Sequence, residues 1–332
     1  MTPVIQIDEL SKTFTVRERP PGRFAALRSL WNSPQRDVVA VDRISLSIAP
    51  GERVAFVGPN GAGKSTTIKM LSGILHPSSG HLQVAGHVPW RERTQLAYRI
   101  GTVFGQRSQL WQHLPAADTF DLLAAIYDQE PAVYRKRRAT LVEAFEIGAH
   151  LHRPVRQLSL GQRMRCEIVA SLLHSPDVLF LDEPTIGLDV SARATIRDVV
   201  REQAEKHGRT VLLTSHDTGD MERVCARVVV IHSGRILLDD TIDGLRSGYI
   251  RRKLVTLRTS EAALELAMAG VEVVRREPHR LELEVDVGVA PIEAVIQAAM
   301  RGGQIHDLTV EDPPMDEVVR AIYDRADREA TS

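Results

Sequence analysis

Three stretches of this sequence carry residues suited to chemistry on a phosphate ester. The first is GPNGAGKST, Gly58 to Thr66, which fits G-x-x-x-x-G-K-[ST], a phosphate-binding loop. Gly58, Gly61 and Gly63 lack a Cβ, so the chain can bend tightly through Pro59, Asn60 and Ala62 and turn its N–H groups inward. With the N-terminus of the helix that follows, those groups form a nest for β- and γ-phosphates. Lys64 adds a point charge and Ser65 offers a hydroxyl to Mg2+. The second stretch, VLFLDEPT from Val178, ends in two carboxylates. Asp182 suits a metal ion, directly or through water, and Glu183 suits orienting and deprotonating an attacking water. The third, TVLLTSHD from Thr210, ends at Ser215 and His216. A bland glycine turn, or an acid pair that only caps a helix, is the alternative for each stretch alone.

The flanking patterns say what positions these residues. RVAFVG before the loop reads as a buried strand, and STTIKMLSGIL after it as a helix. Unbroken apolar runs before Asp182 and Ser215 predict strands buried on both faces, as in parallel α/β sheets. IGTVFGQ is another apolar strand, ending at Gln106. In such sheets ligands bind beyond the carboxyl ends of the strands. Loop, acids and imidazole therefore converge on one edge, around a magnesium-bound triphosphate.

The bulk composition narrows the class. A length of 332 residues predicts about two domains. With 43% hydrophobic residues the chain can fill a core, and a net charge of −1 offers no basic face for nucleic acid. Cys166 and Cys225 lack metal or disulfide spacing, which favours a reducing compartment. The opening MTPVIQIDEL is strand-like rather than a leader. The uncharged run Met70 to Trp90 is interrupted by Pro77, Pro89 and glycines, so no membrane span is expected.

Elsewhere the readings stay open. Val4 to Val16 is expected to form a strand pair, or a strand and turn, with Phe14 in the core; an aromatic just before a phosphate loop could instead stack on adenine. Arg17 to Asp37 reads as a proline-containing surface insertion, with a membrane- or partner-touching helix as the alternative. Leu110, Trp111 and Leu114 could be core or a docking surface, and the basic run Arg135 to Arg138 reads as a solvated helix face. LSLGQRMRCEIVASLLHSP is a loop followed by an amphipathic helix with Ser159 as N-cap. Beyond Ser247 the order βαββαβ predicts a small ferredoxin-like domain, with a helix over SEAALELAMAG.

Taken together, these stretches resemble the nucleotide-binding subunits of ATP-binding cassette (ABC) transporters. GPNGAGKST is similar to the family's Walker A motif and LFLDE to its Walker B motif. Gln106 stands where the family has its Q-loop glutamine, LSLGQ where it has the signature, GLD at Gly187 to Asp189 where it has the D-loop, and His216 where it has the switch histidine. The resemblance covers about residues 4 to 245. It implies an α/β P-loop NTPase (RecA-like) core with an antiparallel β subdomain and an inserted helical subdomain at about 107–165, together forming an ATP-binding domain over 1–246. Residues 247–332 would be a regulatory or dimerisation α+β domain.

The resemblance also implies roles. Phe14 would stack on adenine. Gly58 through Thr66 would hold the phosphates, and Ser65, Gln106 and Asp182 would attend the Mg2+. Glu183 would be the catalytic base, with His216 on the γ-phosphate and attacking water. Gln106 would link the site to a transmembrane permease subunit. Ser159, Gly161 and Gln162 would close over ATP held by a second ATPase protomer, and Asp189 of the D-loop would also be a nucleotide-binding residue. Leu160 departs from the family's usual glycine, whereas Ser159 and Gly161 are kept. The expected protein is thus an ATPase at the cytoplasmic face of a membrane, energising a separate permease. Within the family, the insertion, the phrase VFGQRSQLWQHLP and the small C-terminal domain favour an exporter over a solute importer, whose tails tend to be all-β. A non-transport ATPase is less favoured, because the chain has one cassette and no coiled-coil or zinc insertion.

Overall fold

Alternating residues early in the chain and unbroken apolar runs later produce two kinds of sheet. The structure, a computed structural model, describes residues 2–17, 35–105, 108–215, 217–249, 252–260 and 266–331. The chain divides into two compact units, Met1–Asp240 and Thr241–Ser332.

In the first unit β1 (Ile5–Arg17), β2 (Gln35–Ile48) and β3 (Arg53–Val57) lead to helix α1 (Lys64–Leu71). Then come β4 (Ser79–Val84), α2 (Arg93–Ala97), β5 (Ile100–Phe104), α3 (Ala116–Ile126), α4 (Pro131–Ala144) and α5 (Leu160–Leu172). The unit closes with β6 (Val178–Asp182), α6 (Val190–His207), β7 (Thr210–Ser215), α7 (Thr218–Val224), β8 (Arg227–His232) and β9 (Arg235–Thr241). One sheet has the order β2-β1-β4 and is antiparallel; the other has the order β5-β6-β7-β3-β8-β9. In the second sheet β5, β6, β7, β3 and β8 run parallel.

β1 is one long strand rather than the expected pair. Register shifts after Ile7 and Leu10, with Glu9 at φ 50, absorb the irregular spacing as a bulge. Past the bulge, β1 and β2 run on as a two-stranded ribbon whose end is solvated. Phe14 sits on that ribbon, 37% exposed with Lys12 Nζ 5.1 Å from its ring centroid, so the core placement is corrected. The core proper lies between the sheets. Ile5, Ile7, Ile44 and Leu82 from the antiparallel sheet meet Phe56, Phe180 and Val229 from the parallel one, with Ile68 and Met70 of α1. The segment expected to be helical up to Arg165 holds α3 and α4, then only two short 3-10 turns at Gly148–His150 and Val155–Gln157 before α5.

The β8–β9 hairpin turns on Ser233 and Gly234, both at positive φ, the combination a tight two-residue turn demands. Buried Gly234 donates its N–H to Ala62 O (3.0 Å) and accepts at its carbonyl from Asp42 N (2.9 Å).

The second unit contains α8 (Ile242–Tyr249), β10 (Arg252–Thr259), β11 (Val271–Glu277), β12 (Arg280–Asp286), α9 (Ile292–Gly302), β13 (Ile305–Glu311) and α10 (Met315–Thr331). Its sheet has the order β11-β12-β10-β13, antiparallel throughout, as a split βαβ arrangement requires. Val255, Leu257, Leu281 and Leu283 from the sheet pack with Val295 and Ala299 of α9. The helix expected between Ser260 and Gly270 lies partly outside the described residues, and its remainder, 266–270, is not helical. There Leu266 is buried against the sheet and the chain turns at Gly270, φ 78.

Candidate functional site

The phosphate loop joins β3 to α1 and leaves no room for a side chain at Gly58 or Gly63. A Cβ on Gly58 would lie 2.3 Å from Ile231 O, and one on Gly63 2.5 Å from Ala40 O. Gly61 and Gly63 hold φ of 83 and 107, open to glycine and strained for other residues. Lys64 is 6% exposed, and its ammonium donates to the carbonyls of Gly58 and Pro59, the latter at 3.2 Å. Burial lowers its pKa, opposed by the nearby charges of Glu183 and Asp182. A cavity of about 700 Å³ opens over the loop, walled by Pro59 to Thr66, Phe104, Asp182, Glu183 and Ile186. That volume suits a nucleotide.

Strand register brings the carboxylates to this cavity. Phe104 pairs with Asp182 and Asp182 with Thr214, while Val57 pairs with Ser215, so all four strand ends are level. Asp182 Oδ1 accepts from Ser65 Oγ at 3.0 Å and from Thr214 Oγ1 at 2.6 Å. Glu183 Oε1 lies 3.8 Å from Lys64 Nζ. The Glu183 backbone is in the left-handed region, φ 56, which costs roughly 1–3 kcal/mol in a non-glycine residue. Bonds from its N–H to Thr214 O (3.1 Å) and Thr214 Oγ1 (3.2 Å) hold it there. A Cβ on Gly105 would meet Glu183 O at 2.7 Å, so β5 can end hard against this turn only with glycine.

Ser159, Gly161 and Gln162 do not wall the cavity; they begin α5. Ser159 Oγ accepts from Gln162 N (3.2 Å) while Gln162 Oε1 accepts from Ser159 N (3.0 Å), a complete capping box. Leu160 is exposed, and a Cβ on Gly187 would come within 3.2 Å of its Cδ2. Asp189 caps α6 by accepting from Ala192 N at 2.8 Å.

Gln106 and His216 fall outside the described residues, as do residues 18–34 of the expected insertion. Phe14 does not wall the cavity. Leu110 is buried, while Trp111 is 51% exposed and Leu114 37%, so core and surface readings each hold for part of that phrase.

Sequence reasoning missed several groups that position the site. Thr214 serves both Asp182 and Glu183. Buried Asp220 accepts from Ser215 Oγ (2.7 Å), Thr185 Oγ1 and Arg197 Nε (2.6 Å). Arg193 donates to Leu188 O (2.9 Å) and Asp217 Oδ2 (2.8 Å), tying the D-loop to the residue after His216. Their signal lies in pairing across elements, which spacing along the chain does not carry.

The donors here fit a hard cation. Among the described residues no group of three or more His, Cys, Asp and Glu converges. Ser65 and Asp182 present a hydroxyl and a carboxylate 3.0 Å apart at the cavity floor. Magnesium is commonly held that way, by one or two protein oxygens together with phosphate oxygens and water.

A phosphate loop, level strand ends and an acidic pair beside a nucleotide-sized cavity define a nucleoside-triphosphatase site. The ABC transporter family model matches residues 41–186. The chain is 33% identical to the daunorubicin resistance ATP-binding protein DrrA3 of Streptomyces coeruleorubidus, over 85% of this chain and 90% of that one. It is 36% identical to the Nod factor export ATP-binding protein I of Ralstonia nicotianae, over 59% of this chain and 60% of that one. A solved ATP-binding subunit of an ABC transporter superposes with a TM-score of 0.62 at 26% identity, over 74% of this chain and 93% of that one. The chain belongs to the ATP-binding subunits of ABC transporters. Its reaction is ATP hydrolysis, for which the family uses ATP with Mg2+. No helix among the described residues is long and apolar enough to cross a membrane.

Proposed function

We propose that this subunit powers export by clasping ATP between two copies arranged head to tail. The observation that carries this reading is the division of the site. Lys64, Asp182 and Glu183 share one cavity, while the capped, exposed N-terminus of α5 stands apart from it. Ser159, Gly161 and the first N–H groups of α5 are suited to an anion they do not meet in their own cavity. In the proposed dimer they close on the γ-phosphate held by the partner copy.

Glu183 then acts as base toward the attacking water, Lys64 and the loop amides hold the phosphates, and Ser65 and Asp182 would hold magnesium. There it would supply positive charge against the phosphate oxygens. Gln106 and His216 complete the set, and Phe14, exposed on its ribbon, stacks on adenine. The assembly works at the cytoplasmic face through a separate permease that receives the Trp111 surface. Export is supported by what the relatives' names state, resistance to daunorubicin and export of Nod factor, and by the small second unit with its four-stranded antiparallel sheet.

The test is Glu183→Gln, which keeps the side chain's shape and removes its basicity. Turnover should fall about a thousandfold, ATP should still bind, and ATP should convert the variant from monomer to dimer in sedimentation. Normal hydrolysis by the variant, or an ATP-bound monomer, would overturn the reading.

A further inference from the structure

Glu167 is a buried carboxylate for which the reaction has no use. It sits in the middle of α5, 4% exposed. Among the described residues no cation forms a salt bridge with it, although the charge of Arg163 acts on it. Its hydrogen-bond partners among the described residues come from the stretch after Gln106: Oε1 accepts from Ser108 Oγ, Oε2 accepts from Gln109 N at 3.1 Å, and its main-chain carbonyl accepts from Gln109 Nε2 at 3.0 Å. Burial raises its pKa, against the pull of these donors. A carboxylate buried outside a salt bridge is costly even when hydrogen-bonded, and an apolar residue would be buried there at less expense. What the carboxylate supplies is a fixed position.

The same stretch is tied again further on. Arg156 N donates to Gln112 O at 2.9 Å and Val155 N to Leu114 O at 3.0 Å. Residues 155–156 lie just before Ser159. The strip from Ser108 to Leu114, which carries exposed Trp111, is thus bonded at one end to the middle of α5 and at the other to the approach to α5.

We propose that Glu167 is a positioning residue that locks the Ser108–Leu114 strip to α5, so that the strip and the Ser159–Gly161 turn move as one body. Displacement at Trp111 is then delivered to the N-terminus of α5. The functional consequence rests on the reading of Ser159 and Gly161 as contacts to a partner's γ-phosphate; the mechanical lock does not.

The lock is tested first on the full chain without nucleotide, by hydrogen–deuterium exchange in Glu167→Gln. Its amide nitrogen meets Ser108 or Gln109 donors where an oxygen accepted. Exchange should accelerate about tenfold in both 108–114 and 159–163, with β3 and β6 unchanged. Acceleration confined to 108–114, or absent from both, overturns the proposal. If β3 and β6 also loosen, Ser108→Ala, which leaves the Gln109 bonds in place, is read in the same way; it must accelerate both segments about threefold, and failure to do so overturns the lock. In ATPase assays Glu167→Gln should lower kcat about tenfold with KM within twofold. A raised KM at unchanged kcat would place the effect in the nucleotide cavity and sink the proposal. A wild-type chain without ATPase activity would refute the proposed function, while the exchange result would still decide the lock.

Discussion

Thr214 Oγ1 donates to Asp182 Oδ1 across 2.6 Å, and the two residues stand opposite one another in paired strands β7 and β6. One hydroxyl thereby aims the carboxylate at Ser65 while also accepting from the strained Glu183 amide. Thr214→Val keeps the shape and removes the donor. The buried, charge-assisted bond should cost about 1.5–3 kcal/mol of stability, read from urea melts. The Mg2+ concentration for half-maximal ATPase should rise. Thr214→Ser should restore both; a valine variant with unaltered Mg2+ dependence would count against this aiming role.

Lys64 is held by loop carbonyls in a place where burial already disfavours its charge. Phosphate oxygens are better partners for it. Lys64→Ala should weaken ATP binding at least about tenfold, measured by equilibrium titration. Unchanged affinity would remove the loop from the nucleotide site.

His174 ties protein stability to acid. It is 8% exposed, stacks on Tyr127 with centroids 4.0 Å apart, and bonds Ile100 O through Nε2 at 2.9 Å. Burial, helped by Arg209 and Arg137, pushes its pKa down to about 4. The folded state therefore resists a proton that the unfolded chain accepts below about 6.5. Stability from the neutral ring is complete above that pH and is lost as pH falls toward about 4, amounting to about 3 kcal/mol. Urea midpoints of wild type and His174→Phe should converge across this window; parallel curves would exclude His174 as the source.

Leu160 occupies the signature position where the family has glycine, and it rests against Gly187 at the exposed start of α5. The Ser159 cap and Gly161 are unaffected by its side chain. Leu160→Gly should leave ATPase activity within about threefold and lower stability by about 0.5–1 kcal/mol through backbone entropy. A large loss of activity would show that the leucine itself contacts the partner's nucleotide.

The parallel sheet and its level strand ends were legible because buried strands announce themselves as unbroken apolar runs, and the acids proposed for catalysis sit where one such run stops. VLFLD and TVLLTS are of this kind. Phe14 was misplaced because its alternation continues past the point where β1 leaves the sheet, and a solvated ribbon has the same period as a covered strand. The left-handed Glu183 turn was hidden because nothing local demands it; Gly105 and Thr214, on other strands, impose it. Glu167 drew no notice in the sequence because its partners lie 58 and 59 residues earlier.

The Ser233–Gly234 turn has a practical consequence. Hairpin tips ordinarily accept inserted tags, fluorophores or protease sites, because their backbone faces water. Here Gly234 is buried and bonded on one side to Ala62 and on the other to Asp42. A peptide grafted at this tip would pull directly on the phosphate loop. This tight hairpin is therefore among the worst places to engineer a reporter, and a label meant to leave ATP binding intact belongs on a turn without such ties.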